Sequence, residues 1–186
     1  MFNPPKLIGH RGVKNLSPEN TLNSIELAGK LNLDWVEIDV KISKDLFPIL
    51  LHDDTLERTT NGQGNPLNLK YNEIKNLDAG EFFYGNSTDI FVPTLFDVLS
   101  LCNKRKISLN IELKPNLGAE KENVKAIVEL INSFKFNNHI YFSSFDLTSL
   151  FFIRSLMPDS FCGLLVDNFS YKLSIKDILE ISAKYN

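Results

Sequence analysis

Trp35-Val36-Glu37-Ile38-Asp39-Val40-Lys41-Ile42 alternates strictly, with Val36, Ile38, Val40 and Ile42 on one face and Glu37, Asp39 and Lys41 on the other. Leu109-Asn110-Ile111-Glu112-Leu113-Lys114 repeats the pattern, setting Asn110, Glu112 and Lys114 against three leucines and isoleucines. Strand side chains alternate with period two, so each set shares a face. Taken alone this is a sheet with one wet face, which is common in antiparallel folds. The surrounding chain points elsewhere, because short apolar runs and helix-period segments alternate along it. Leu7-Ile8-Gly9 is followed by a helix capped by Asn20 or Thr21 and running to about Leu31. After strand 35–42 comes a second apolar run, Phe47 to Leu51. Residues 54–92 break the rhythm with Asn61-Gly62, Gly64, Pro66, Gly80 and Gly85, which predicts a loop-rich insertion. The rhythm then resumes: a helix from Thr94 to about Cys102, a strand Ile107 to Lys114, an amphipathic helix Glu120 to Phe134, a strand Ile140 to Ser143, a helix Asp146 to Leu156, a strand Phe161 to Val166 and a helix Ile175 to Lys184.

Six strands, most followed by a helix, predict a parallel sheet with helical crossovers. An open doubly wound sheet and a (β/α)8 barrel both fit, although a closed barrel usually takes about 250 residues and eight strands. The length of 186 residues, with 43% apolar and 23% charged, predicts one domain over 1–186 with a hydrophobic core. A net charge of −3 without a cluster of Lys and Arg argues against a nucleic-acid partner. No apolar run approaches the roughly 18 residues of a membrane span, and the first residues lack the pattern of a secretory signal. Cys102 and Cys162 have neither metal-ligand nor redox spacing, which predicts two buried thiols in a reducing compartment. The expectation is a cytoplasmic protein with no stable membrane anchor.

In a parallel sheet covered on both sides, the polar faces of these two strands lie inside, where carboxylates are costly unless paired or bound to a cation. An all-oxygen set suits Mg2+ or Ca2+ better than zinc. His10 and His52 each end an apolar run, and catalytic groups of (β/α)8 enzymes sit at the C-terminal ends of strands. Glu37, Asp39, Glu112 and Lys114 lie at or near such ends too. His139 follows Asn137-Asn138 and reads as a surface residue. Ser143 and Ser144 lack the Gly-x-Ser-x-Gly surroundings of a serine nucleophile, so packing or a hydrogen bond is the better reading. Asp53 and Asp54 adjoin His52 but can equally cap a turn. Phe82, Phe83 and Tyr84 fit either a wall over the site or a small core under a loop.

His10-Arg11-Gly12, Pro18-Glu19-Asn20-Thr21, Glu37-Ile38-Asp39-Val40, His52-Asp53 and Glu112-Leu113-Lys114 together resemble the glycerophosphodiester phosphodiesterases, bacterial cytoplasmic type. Arg58-Thr59-Thr60-Asn61-Gly62 resembles that family's small insertion. The resemblance implies a (β/α)8 barrel of TIM type, with the insertion after the third strand. It implies one divalent cation, Mg2+ or Ca2+, held by Glu37, Asp39 and Glu112. It implies His10 and His52 as the acid–base pair, Arg11 and Lys114 as phosphate contacts, and Pro18–Thr21 as a structural motif. The implied reaction is hydrolysis of a small-molecule glycerophosphodiester to glycerol 3-phosphate and an alcohol. A related phospholipid phosphodiesterase is the alternative within the enzyme class. The family pattern continues through two further βα units, so about six are expected here and a C-terminal quarter is missing. Unpaired strand edges then favour self-association, and a non-catalytic or partner-completed fragment is the alternative to an enzyme.

Overall fold

The computed structural model describes residues 5–167 and residues 174, 176, 177 and 180. The helix expected at 175–184 lies outside the described residues. Thr21 opens α1 (Leu22–Lys30), its hydroxyl accepting from Ser24 N. Strand β1 (Trp35–Ile42) turns back into β2 (Pro48–Leu50). After the irregular segment come α4 (Leu95–Arg105), β3 (Ser108–Leu113), α5 (Glu120–Ser133), β4 (Ile140–Ser144), α6 (Leu147–Leu156) and β5 (Cys162–Leu164). Thr94 and Asp97 form a reciprocal capping box at the start of α4, and Asp146 caps α6 through Ser149 N, each cap contributing about 1 kcal/mol. The irregular segment itself holds a 3-10 turn, Pro66–Asn68, and two one-turn helices, α2 (Tyr71–Ile74) and α3 (Glu81–Tyr84).

The sheet order is β2-β1-β3-β4-β5. β1, β3, β4 and β5 run parallel, in register Asp39 beside Glu112 and Glu112 beside Ser143. Two expectations are corrected here. The run 47–51 is not a further βα unit: β2 lies antiparallel to β1, with Ile42 opposite Pro48, as the second arm of a hairpin. The first apolar run contributes a single parallel bridge, Gly9 to Val36, rather than a full strand. A hairpin needs only a short turn, whereas a parallel neighbour needs a crossover of a dozen or more residues. Only His52 and Asp53 separate Leu51 from the irregular segment at 54–92, so no crossover helix fits between them. The described strands therefore form an open sheet, and among the described residues they do not close into a ring.

One face of this sheet is apolar and carries the helices. Val36, Ile38, Val40, Leu109, Ile111 and Phe142 pack on Ile25, Val98, Leu99, Val124, Ile127 and Ile153. β2 alternates between two cores, with Leu50 in this one and Ile49 and Leu51 in a second formed with Leu56, Ile74, Ala79 and Val92. That second core anchors residues 54–92 to the sheet. Cys102 is buried as expected, while Cys162 is only half-buried, and both thiols are free. No helix among the described residues is long and apolar enough to cross a membrane. The opposite face carries Glu37, Asp39, Lys41, Asn110 and Glu112, all buried.

Candidate active site

The loop after the first bridge is held from three directions. Gly9 N donates to Trp35 O at 3.0 Å, and Glu37 N donates to Gly9 O at 2.8 Å. Gly12 adopts φ +80°, and a Cβ there would stand 2.4 Å from Ser24 Oγ, so only glycine fits. Ser24 Oγ accepts from Val13 N at 2.7 Å and donates to Arg11 O at 3.1 Å, fastening the loop to α1. His10 Nε2 thereby lies 3.8 Å from Glu37 Oε2, and Arg11 N donates to that same oxygen at 2.9 Å. Burial first, then the Arg11 charge, lowers the His10 pKa. Asn20, at φ +55°, pins Asp39 on both sides. Its Nδ2 donates to Asp39 Oδ2 at 2.8 Å, and its Oδ1 accepts from Asp39 N at 3.1 Å.

Glu37, Asp39 and Glu112 each turn a carboxylate oxygen to within 4.8 Å of the others. All three are buried, Asp39 completely. Burial, followed by the charge of Asp39, pushes Glu37 up to about 8. Burial also raises Glu112, against the hydrogen bond from Lys114. Glu37 Oε1 and Asp39 Oδ1 are buried without a hydrogen-bond partner, and a buried acceptor left unsatisfied costs about 1–3 kcal/mol. The resident cations offset part of this: Arg11 Nε is 3.2 Å from Asp39 Oδ2, and Lys114 Nζ donates to Glu112 Oε1 at 2.8 Å. Lys114 also stands 3.9 Å from Asp39 Oδ1. Two orphaned hard oxygens beside a third carboxylate are a donor set that a hard divalent cation fits.

His52 follows β2, and its Nδ1 lies 2.6 Å from Asp53 Oδ1. Arg58 donates to both oxygens of Asp53, which lowers the Asp53 pKa chiefly through those bonds. An ionised Asp53 can only accept, so His52 Nδ1 is the donor in this contact. Lys41, fully buried, stands 3.5 Å from Asp54 Oδ1, and Asn116 Nδ2 donates to Asp54 O at 2.8 Å. Burial brings Lys41 down to about 8 despite that carboxylate.

His10, Arg11, Glu37, His52, Glu112 and Lys114 line one cavity of about 440 Å3, together with Ile8, Asn110, Phe145 and Leu165. Lys114 Nζ sits 5.4 Å from the Phe145 ring centre. All seven expected site residues thus gather in one place, Asp39 through its carboxylate neighbours. Ser143 and Ser144 are occupied in hydrogen bonds to Asn110 Oδ1 and Leu113 O. His139 is exposed and stacks on Trp35. Phe82, Phe83 and Tyr84 are neither cavity wall nor core but exposed; Phe82 and Phe83 border a separate hollow of about 250 Å3 beside Glu19 and Arg58. From sequence, Asn20 is only a candidate helix cap, Asp53 only a candidate turn cap, and Glu19 and Arg58 have no individual role. The quoted motifs contain all four, but their partners lie on other segments.

An α/β sheet with carboxylates on parallel strands β1 and β3 and histidines on the adjoining loops has the layout shared by barrel-type proteins whose sites sit at strand ends. The sequence model described as "Glycerophosphoryl diester phosphodiesterase family" matches residues 10–184, and the chain belongs to that family. A glycerophosphodiester phosphodiesterase from Caldanaerobacter subterraneus is 36% identical over 163 residues, 86% of this chain and 65% of that protein. The chain spans 62% of the length of a Bacillus subtilis relative named as a putative glycerophosphodiester phosphodiesterase, at 37% identity over 82% of its own. Among solved structures, an Oleispira antarctica phosphodiesterase in complex with the product sn-glycerol-3-phosphate superposes with a TM-score of 0.84. Its identity is 32%, with 97% of this chain and 81% of that one covered.

Proposed function

We propose that the chain hydrolyses glycerophosphodiesters such as glycerophosphocholine and glycerophosphoethanolamine to glycerol 3-phosphate and an alcohol. The observation that carries this reading is the single cavity in which two histidines and Lys114 face the carboxylate trio with its two orphaned oxygens. Family membership and the product held by the Oleispira relative support the substrate class. Glu37, Asp39 and Glu112 would hold one divalent cation, Mg2+ or Ca2+. When bound, it supplies polarisation of the phosphoryl oxygen and acidification of a nearby hydroxyl.

The chain's own residues do the rest. Arg11 and Lys114 contact phosphate oxygens, the first as a planar fork and the second as a point charge. They hold the diester so that the glycerol 2-hydroxyl reaches phosphorus. Such intramolecular attack is worth about 7–11 kcal/mol when well oriented, so no protein nucleophile is needed. One of His10 and His52 takes the hydroxyl proton while the other protonates the leaving alkoxide as its P–O bond breaks. In the resulting five-membered cyclic phosphate, water attacks phosphorus with the roles reversed. The bond to the 2-oxygen breaks, that oxygen regains its proton, and glycerol 3-phosphate is released.

Comparing glycerophosphocholine with its 2-deoxy analogue tests this reading. Release of alcohol from the first and none from the second is expected, and equal rates would contradict it. We further propose one domain over 1–186 with 54–92 as its insertion, a reducing cytoplasmic setting suited to two free thiols, and pairing of open sheet edges with a second copy.

A further inference from the structure

We propose that Arg58 is a positioning residue, a clamp that orients His52 through Asp53 and Arg11 through Glu19. The proposal rests on the reading of the cavity given above. Arg58 comes from the irregular segment, outside the cavity lining. Its Nε donates to Asp53 Oδ2 at 2.6 Å and its Nη2 to Asp53 Oδ1 at 2.9 Å. Nη1 donates to Glu19 Oε2 at 3.1 Å, and Nη2 also reaches Glu19 Oε1 at 2.7 Å. Each carboxylate passes the grip on. Asp53 Oδ1 receives His52 Nδ1 at 2.6 Å, and Glu19 Oε1 receives Arg11 Nη1 at 2.7 Å. One guanidinium therefore ties the loop carrying His10 and Arg11 to the loop carrying His52.

The segment is built to hold that guanidinium still. Leu56 and Thr60, on either side of it, are buried. Thr60 N and Thr60 Oγ1 both donate to Leu56 O, at 3.1 and 2.8 Å. Asn61 N donates to Asp78 O, and Asp78 N donates to Asn61 Oδ1. The Arg58 side chain is itself 47% exposed, and exposed ion pairs contribute little to stability. The consequence of the four hydrogen bonds is geometric. A lysine cannot reproduce it, since its ammonium lacks the planar fork.

The test compares Arg58→Ala and Arg58→Lys with the parent chain by kinetics, thermal melting and 15N NMR of the His52 ring. Arg58→Ala is expected to lower kcat roughly 100-fold, since a misplacement of about 1 Å costs that much, and to raise KM, with only a modest fall in melting temperature as Glu19 and Asp53 lose their partner. Low-millimolar guanidinium should restore activity to Arg58→Ala, whereas methylammonium should not, and Arg58→Lys should remain impaired. Asp53→Ala should reproduce the kcat loss and Glu19→Ala the KM rise, separating the two arms. Parental kcat and KM in Arg58→Ala would overturn the clamp, as would a loss that tracks lowered stability and resists guanidinium. The NMR readout stands apart from turnover: the Nδ1–H tautomer of His52 should give way to a mixture in Arg58→Ala. If the parent chain releases no glycerol 3-phosphate, the functional reading falls while the tautomer still decides the clamp. Nδ1–H retained unchanged in Arg58→Ala would overturn it.

Discussion

His10 and His52 reach the cavity on separate loops, and the acid–base reading makes each indispensable. His10→Ala and His52→Ala should each reduce kcat by about 10²–10⁴-fold, the usual worth of positioned proton transfer, with melting temperature little changed. Near-parental turnover in either would remove that histidine from the mechanism. Glu19 carries a second expectation. Burial raises its pKa, but the hydrogen bonds of Arg58 and then Arg11 outweigh that and hold it at about 2, below its ordinary 4.5. A depressed carboxylate stabilises the fold above its unfolded pKa and loses that contribution as pH falls toward the folded value. Acid unfolding followed by circular dichroism should therefore show stability draining away between about pH 4.5 and 2, with a smaller loss over that window in Glu19→Gln. The carboxylate trio was legible in the sequence because period two fixes which residues share a strand face. The clamp was not, because Glu19 and Arg58 are 39 residues apart and meet only when three loops converge.

β1 and β3 place their polar residues as the alternation requires, with Glu37 beside Asn110 and Asp39 beside Glu112. The helices were legible for similar reasons: Thr94 stands where the α4 box needs it, and α5 ends within one residue of its expected boundary. β2 was the element misread. An apolar run of five has no direction written in it, and Pro48-Ile49-Leu50 serves a hairpin arm as well as a parallel strand. The irregular segment 54–92 offered turn residues but no periodicity, so its second core was hidden. That core has a functional consequence, since Leu56 fixes the base of Arg58. Leu56→Ala should cost about 2–5 kcal/mol in urea unfolding, the range for a buried leucine, and should lower activity below what the stability loss alone explains. Parental stability would mean the segment is not anchored through this core.

At the scale of the whole molecule, a polar sheet face with three neighbouring carboxylates and two orphaned oxygens is a destabilising arrangement that a bound cation would relieve. Ligand binding to the native state alone stabilises it by about 2.7 kcal/mol at a hundredfold excess over Kd. Mg2+ or Ca2+ should accordingly raise the melting temperature of this chain, and Glu112→Gln should blunt the rise; no shift with either ion would argue against the site. The chain spans 65% of the Caldanaerobacter relative, and its described open sheet gathers the candidate site residues in one cavity. The central claim, that this gathered site cleaves phosphodiesters with a divalent cation, is tested most directly by glycerol 3-phosphate release from glycerophosphocholine by the purified 186-residue chain. Release with Mg2+ or Ca2+ that stops in chelator and in Glu112→Gln is the predicted result. Release undiminished by chelator, or none under any condition, would contradict the account.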